Sequence, residues 1–497
     1  MPQVKKHAIS LICTLALSIS IAQAQAGWEK YRQQRQSEFK EYIQKNKEEF
    51  KNYRDSVNRE FASFLEKEWT RFDLQKPEPP IKKPIPVPPV YDPAKPEPKP
   101  EELPLAKLPV IPIPEIVAPK QEIGPTIKPI PIPEKTINSI FFGTSIKLKD
   151  IAISPMHLPS VAEKDIANYW KLLTNTPYVD IMNEALRIKA ELQLNDWGLY
   201  QLLNKLFKVY FPKGTVGEQV IFTVFMLNQM EYQAKMGKGN NDELIPLIAF
   251  SDNISNCLYF TYNAKTSTRY YAINPSHRDL SSARTYTIDY ADAANRMNLG
   301  IAAPPLFTVE PVTESLVFNK NTYALKYNKN VVDFYRDYPC AEFSVYAEAP
   351  LDKTTLQSIE EQITPNLVNK SQEEAVNWLL HFVQNAFEYK TDHDQFGYEK
   401  YFFAEETIAS LYSDCEDRAI LFTQLVRRLL KMPVVLIYYP GVHLAAAVKF
   451  DNANTVGDYV TVDGAKYLIC DPTYINANLG MAMPKLKDTP IKVINVR

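Results

Sequence analysis

From residue 76 to 137 the chain reads KPEPPIKKPIPVPPVYDPAKPEPKPEELPLAKLPVIPIPEIVAPKQEIGPTIKPIPIPEKTI, and just over half of its 38 prolines fall there. Proline fixes its own φ, offers no N–H, and pushes the preceding residue into extended geometry. Alternating X-Pro therefore excludes helix and central strand and favours polyproline II. At about 3.1 Å per residue, some 60 residues span roughly 190 Å. The segment predicts a semi-rigid spacer that holds the later part of the chain far from its N-terminus. A ligand for proline-recognition domains is the competing reading.

Ahead of the spacer lie two further segments. Residues 1–26 read as a secretory signal: Lys5, Lys6 and His7, then the apolar AISLICTLALSISIA, then small residues at Ala24 and Ala26. The apolar run is about 15 residues against the roughly 20 that a span requires. Ile12 before Cys13 argues against a lipid acceptor. Export to the periplasm or cell envelope of a bacterium is the expectation. In residues 27–75, Trp28, Phe39, Phe50, Phe61 and Phe72 are eleven apart, and Tyr31, Tyr42, Tyr53 and Phe64 repeat the interval. Eleven residues make three helical turns, so both series stay on one stripe of a nearly straight helix. Glu41 with Lys45 is spaced to pair along the other face. Such a stripe calls for a partner: the chain itself, a second copy, or an envelope component.

The remaining chain predicts an α+β fold. Residues 138–283 read as a mixed α/β domain: a strand and turn, amphipathic helices, EQVIFTVFMLNQMEYQAKMG as a buried helix followed by a basic turn, then strands. Residues 284–351 read as a β-rich segment that includes NVVDFYRDYP and EFSVYAEAP. Residues 352–497 run helix, helix, helix, then strands. The formal net charge of −2 gives no reason to expect nucleic acid.

After the signal, Cys257, Cys340, Cys415 and Cys470 remain, an even number that permits two disulfides in an oxidising compartment. His157, His277, His381 and His393 form no metal-ligand spacing, so neither metal nor organic cofactor is expected.

Three residues of the last segment stand out. Cys415 opens an apolar helix in YSDCEDRAILFTQLVRRLL, with Asp414 or Ser413 as its cap. His443 lies in the apolar strand VHLAAAVKF, and Asp471 ends the strand in YLICDPTY. A thiol nucleophile needs a base within reach, and the base needs an orienting acceptor. A helix N-terminus favours a thiolate. Glu416 and Asp417 would oppose that charge, so their side chains are expected to point away from the sulfur. Alternation along a strand turns Cys470 away from any site that Asp471 faces, against a Cys415–Cys470 disulfide.

DCEDRA, GVHLAAAV and YLICDPTY, in that order, resemble the transglutaminase-like superfamily of papain-fold cysteine enzymes. The resemblance covers roughly residues 370–478. It implies a nucleophile at Cys415, a base and acid at His443, and an orienter at Asp471. An aromatic that helps the oxyanion is also implied, with Tyr398, Tyr401 and Tyr412 as candidates. The substrate would be an amide of protein, peptide or peptidoglycan type, with hydrolysis preferred over transfer to an amine. The alternative is a catalytically silent scaffold or binding protein of the same fold.

A shift of 200 residues places CEDRAILFTQL on TVGEQVIFTVF, and Cys415 on Thr215. Residues 160–280 then read as an inactive copy of the same fold, with chance similarity of apolar helices as the competing account.

Overall fold

The computed structural model describes residues 52–77, 89–90, 135–262, 267–273, 280–452 and 454–497. The expected signal peptide, the helix before residue 52 and nearly all of the proline-rich segment lie outside them. The chain divides into two units, residues 1–64 and 65–497. In the first, helix α1 (residues 52–65, its last residue just past the division) carries the later part of the eleven-residue aromatic series.

The second unit opens with a departure from the expected helix. Strand β1 (Thr70–Asp73) replaces its last turns. Phe72 stacks on Phe260 at 4.7 Å, and the backbone pairs with the strand at 282–285. Long-range pairing here overrides the helical spacing.

The unit is α+β, and its two halves follow one plan. The first half begins with the hairpin β2 (Thr136–Phe141) and β3 (Thr144–Lys149). Its turn places Phe142 at φ 42° and Gly143 at φ 66°. A Cβ on Gly143 would lie 2.2 Å from the Asn330 side chain, so only glycine fits there. Helices α2 (Glu163–Thr174), α3 (Tyr178–Glu191), α4 (Asp196–Tyr210) and α5 (Val216–Gln229) follow. Strands β4 (Ala234–Lys238), β5 (Leu244–Ala249), β6 (Tyr259–Tyr262), β7 (Thr268–Ala272) and β8 (Ser282–Thr285) complete it.

The second half also begins with a hairpin, β9 (Pro311–Phe318) and β10 (Asn321–Asn328). Then come α6 (Lys329–Tyr335), α7 (Phe343–Glu348), α8 (Lys353–Ile363) and α9 (Gln372–Ala386). Short elements β11 (Glu388–Tyr389), α10 (Asp392–Phe396), α11 (Ala404–Ala409) and β12 (Tyr412–Ser413) lead to α12 (Cys415–Leu425). Strands β13 (Val434–Tyr439), β14 (His443–Lys449), β15 (Tyr459–Val462), β16 (Ala465–Cys470) and β17 (Lys492–Asn495) close the chain.

The sheets match strand for strand. One runs β8-β4-β5-β7-β6, with β1 added outside β8; the other runs β17-β13-β14-β16-β15. Every pairing in both is antiparallel. Register agrees too. Ala234 pairs with Ile248, and Val434 with Val448, each 200 residues on. A buried helix, α5 or α12, packs on each sheet. Both are capped alike. Glu218 accepts from the Thr215 N–H at 2.7 Å, and Asp417 accepts from the Asp414 N–H at 3.2 Å.

Two expected segments change type. The basic turn expected at the end of EQVIFTVFMLNQMEYQAKMG falls in strand β4. Its lysines are held by tertiary partners: Lys235 by Asp289 at 2.8 Å and Lys238 by Glu163 at 2.7 Å. The β-rich segment keeps β9 and β10, but NVVDFY and FSVYAE are helices α6 and α7. Val331, Phe334 and Tyr335 are buried at helical spacing, and the Asn328 side chain caps α6. Aromatic and β-branched content alone pointed the wrong way.

In the second half, one face of the sheet packs against α9 and α12 through Ala446, Val448, Leu468 and Cys470. The other face buries Ile437, Ala445, Ala447 and Ile469. Strand β16 pairs with β14 only from Ala446 onward, which leaves residues 443–445 unpaired on that side.

Candidate active site

That unpaired edge is where α12 begins. Cys415 is the first residue of the helix and is 6 % exposed. Its sulfur meets the Leu444 backbone N–H, next to His443. His443 is fully buried, and its Nε2 lies 2.9 Å from Asp471 Oδ2. The other oxygen of Asp471 accepts from the N–H groups of Thr473, at 2.9 Å, and Tyr474, at 3.3 Å. These bonds fix the carboxylate, and the carboxylate fixes the imidazole ring. Among the described residues, His443 Nδ1 is buried with no hydrogen-bond partner.

The three residues expected from sequence therefore gather at one end of the sheet, but the thiol and imidazole are not bonded to each other. Cys415 Sγ lies 2.9 Å from Glu416 Oε2. This corrects the expectation that Glu416 points away. Asp417 does point away, accepting from the N–H groups of Asp414 and, at 3.0 Å, Phe402. Burial pushes the Cys415 thiol well above its ordinary range, and the charges of Glu416 and Asp414 push it further. Both effects oppose the thiolate expected at a helix terminus.

Several supporting residues escaped the sequence reading. Arg418 is 1 % exposed and donates to Ser413 Oγ at 3.1 Å, to the Gln384 carbonyl at 3.2 Å and to the Phe387 carbonyl at 2.7 Å. Gln384 in turn donates to the carbonyls of Asp471 at 3.1 Å and Ala477 at 3.0 Å. One helix, α9, thus braces both the cysteine loop and the aspartate loop.

Tyr389 is the other omission. It pairs with Ser413 across β11 and β12, two residues from Cys415, and its ring lies 5.4 Å from the Arg418 guanidinium. Burial raises its phenol, and negative charge at Cys415 raises it further, as expected of neighbours. The three expected tyrosines have different surroundings. Tyr401 is bonded to Ser255 at 3.3 Å, the Tyr412 ring faces Lys390 at 4.8 Å, and Tyr398 lines a separate cavity. Only the Arg in DCEDR and the Tyr ending the α9 segment hinted at these roles.

Among the described residues, Cys340, Cys415 and Cys470 form no disulfide. Cys470 sits in the core against α9 and α12, on the sheet face opposite Ile469. Among the described residues, the ligand atoms of Asp414, Cys415 and Glu416 lie within 4.8 Å of one another and could hold a cation.

Carboxyl groups crowd this end of the molecule. Burial, then repulsion from neighbouring acids, raises Glu416, Asp417 and Asp392. Burial pushes Glu405 up to about 8, and it pushes Glu399 up to about 8 with help from Asp414. In the unfolded chain such groups ionise near pH 4.3 (about, for a free Glu). A carboxyl raised on folding gives stability that is full below the unfolded value and lost as pH climbs through the folded one. Thermal stability is therefore expected to fall between pH 5 and 8.5, by about 5 °C or more. Glu405→Gln is expected to flatten that fall. Scanning calorimetry across the range checks both, and a melting temperature that rises with pH would contradict them.

No protein-family model and no curated protein matches the chain.

Proposed function

We propose that the chain is an exported transglutaminase-like cysteine enzyme that hydrolyses amide or peptide bonds through Cys415, His443 and Asp471. The observation that carries this reading is the buried His443–Asp471 pair, with His443 on β14, the strand against which the helix opening at Cys415 packs. In the proposed reaction, Cys415 turns from Glu416 to His443 and gives its proton to Nδ1. The thiolate adds to the carbonyl carbon, forming an S–C bond and an oxyanion. Collapse breaks the C–N bond, and His443 passes the proton to the leaving amine. Water then attacks the thioester, His443 takes its proton, and the S–C bond breaks to restore the thiol. Asp471 orients the ring and stabilises the imidazolium. The scheme calls on no metal or organic cofactor.

Tyr389 is the proposed oxyanion donor. Tyr389→Phe is expected to lower kcat about 10²-fold, the usual effect of losing one such donor, and to leave KM within about twofold. A variant with unchanged kcat would end that assignment. The test of the whole reading is peptide turnover by wild type against Cys415→Ala, read by mass spectrometry.

The first half fits the same account as a copy without the chemistry. Thr215 stands at the position of Cys415, and Glu243 at that of His443, since Gly239 and Glu243 face each other as Tyr439 and His443 do. Ile273 bonds to Pro246 where Cys470 pairs with Ala446. The sequence then continues Asn274-Pro275-Ser276 against Asp471-Pro472-Thr473. Thiol, imidazole and carboxylate are all replaced.

A second reading, a silent binding fold, is favoured by one observation. The Cys415 sulfur is bonded to an acid rather than to its base.

A further inference from the structure

Where the two halves meet, two cysteines come together. Cys257 lies just before β6 in the first half, and Cys340 lies between α6 and α7 in the second. Hydrogen bonds lace the two segments. The Cys340 carbonyl accepts from the Ser255 N–H at 2.8 Å and from the Ser255 hydroxyl at 3.0 Å. In return, the Cys340 N–H donates to Asn256 Oδ1 at 3.1 Å. That same oxygen accepts from the Cys257 thiol at 3.4 Å. One side-chain oxygen therefore touches both the sulfur of Cys257 and the backbone of Cys340. The Cα atoms of a disulfide lie about 4.4–6.8 Å apart, a range that neighbouring hydrogen-bonded backbones also occupy. Both cysteines lie outside helices and strands, so joining them breaks no ladder.

The two sulfurs differ in their surroundings. Cys257 is half-buried and lines a cavity of about 920 Å³ between the halves, which gives a small reagent a way in. Cys340 is fully buried, and its thiol points at the Glu399 carbonyl at 3.4 Å. Burial raises that thiol well above its ordinary range, and negative charge at Cys257 is among the further causes, as expected of neighbours. Cys257 is thus the sulfur that meets a reagent first, and Cys340 the one that resolves the product. The other two thiols are placed elsewhere: Cys415 against Glu416, and Cys470 in the core against α9 and α12.

We propose that Cys257 and Cys340 are joined as a disulfide by reaction with a small-molecule disulfide, and that the bond staples the two halves together. Two exchanges make it. Cys257 loses its proton to water, attacks one sulfur of the reagent, and expels the other as a thiolate. Cys340 then loses its proton, attacks the Cys257 sulfur of the mixed disulfide, and expels the second thiolate. The two cysteines give up two electrons, and the reagent takes these and two protons to leave as two thiols. The bond closes a loop of about 80 residues, which restrains the unfolded chain. That loop contains β6, β7 and β8 of the first half and β9, β10 and α6 of the second. The staple is independent of the hydrolase reading.

The test uses the full chain, reduced and then equilibrated with oxidised glutathione at mildly alkaline pH. Remaining thiols are blocked with iodoacetamide, and a digest made without reductant is read by mass spectrometry. A peptide pair joined through Cys257 and Cys340 is expected, with at least tenfold less of it after dithiothreitol. The oxidised chain is expected to melt about 3 °C or more above the reduced one. Cys257→Ser, a conservative change at the half-buried position, is expected to lose both the joined pair and the melting difference, and to melt as reduced wild type does. Glutathione held on Cys257 with no joined pair overturns the proposal. So does Cys257 joined instead to Cys415, to Cys470 or to a second copy of the chain. A joined pair that leaves the melting temperature unchanged overturns the staple.

Discussion

Replacing His443 by alanine is expected to cut peptide turnover by roughly 10⁴-fold or more, the order lost when one member of a cooperating nucleophile–base pair is removed. The size follows from burial. The Cys415 thiol is raised by burial and by Glu416, which disfavours the thiolate and leaves its formation to an internal base. Turnover of a random peptide pool measures the loss. Alkylation of Cys415 from pH 5 to 10 gives its cause. Glu416→Gln replaces the opposing carboxyl with a neutral amide, so its labelling midpoint is expected below that of wild type. His443→Ala is expected to label more slowly than wild type near pH 7. Equal alkylation rates in wild type and His443→Ala at every pH would mean that the imidazole never takes the thiol proton. The silent binding fold would then be the better account.

Arg418→Met is expected to lower unfolding stability by about 3 kcal/mol, through the loss of a buried guanidinium that satisfies three acceptors. Methionine keeps much of the volume but leaves the carbonyls of Gln384 and Phe387 and the Ser413 hydroxyl without their donor. The same change frees the loop that carries Cys415 and Tyr389, so turnover is expected to fall with stability. Urea denaturation measures the first effect. Amide hydrogen exchange at residues 384–390 and 413–418 should show faster opening there than elsewhere. An Arg418→Met chain as stable as wild type would mean that water or neighbouring groups replace the guanidinium at little cost.

The helices and strands around the candidate site were largely legible because their signals are local. Amphipathic spacing marks α9, apolar runs mark β13 and β14, and an acid at the cap marks α12. Legibility failed where tertiary contacts outweighed local pattern. Strand β1 exists because an edge was available to pair with, and Lys235 lies inside a sheet because Asp289 meets it there. The likeness of the two halves showed in the sequence chiefly as an eleven-residue match, since apolar core positions tolerate many residues.

By itself the sequence determined an α+β chain with a proline-rich segment, and it singled out Cys415, His443 and Asp471 from residue type and local setting. Only the tertiary structure decided what those residues meet. It paired His443 with Asp471, turned the Cys415 thiol to Glu416, and set Tyr389 and Arg418 beside the loop. The physical reason is range. Capping, alternation and helical periodicity act within a few residues and leave a trace in the sequence. Burial, charge repulsion and hydrogen bonds between elements act across tens or hundreds of residues and leave none.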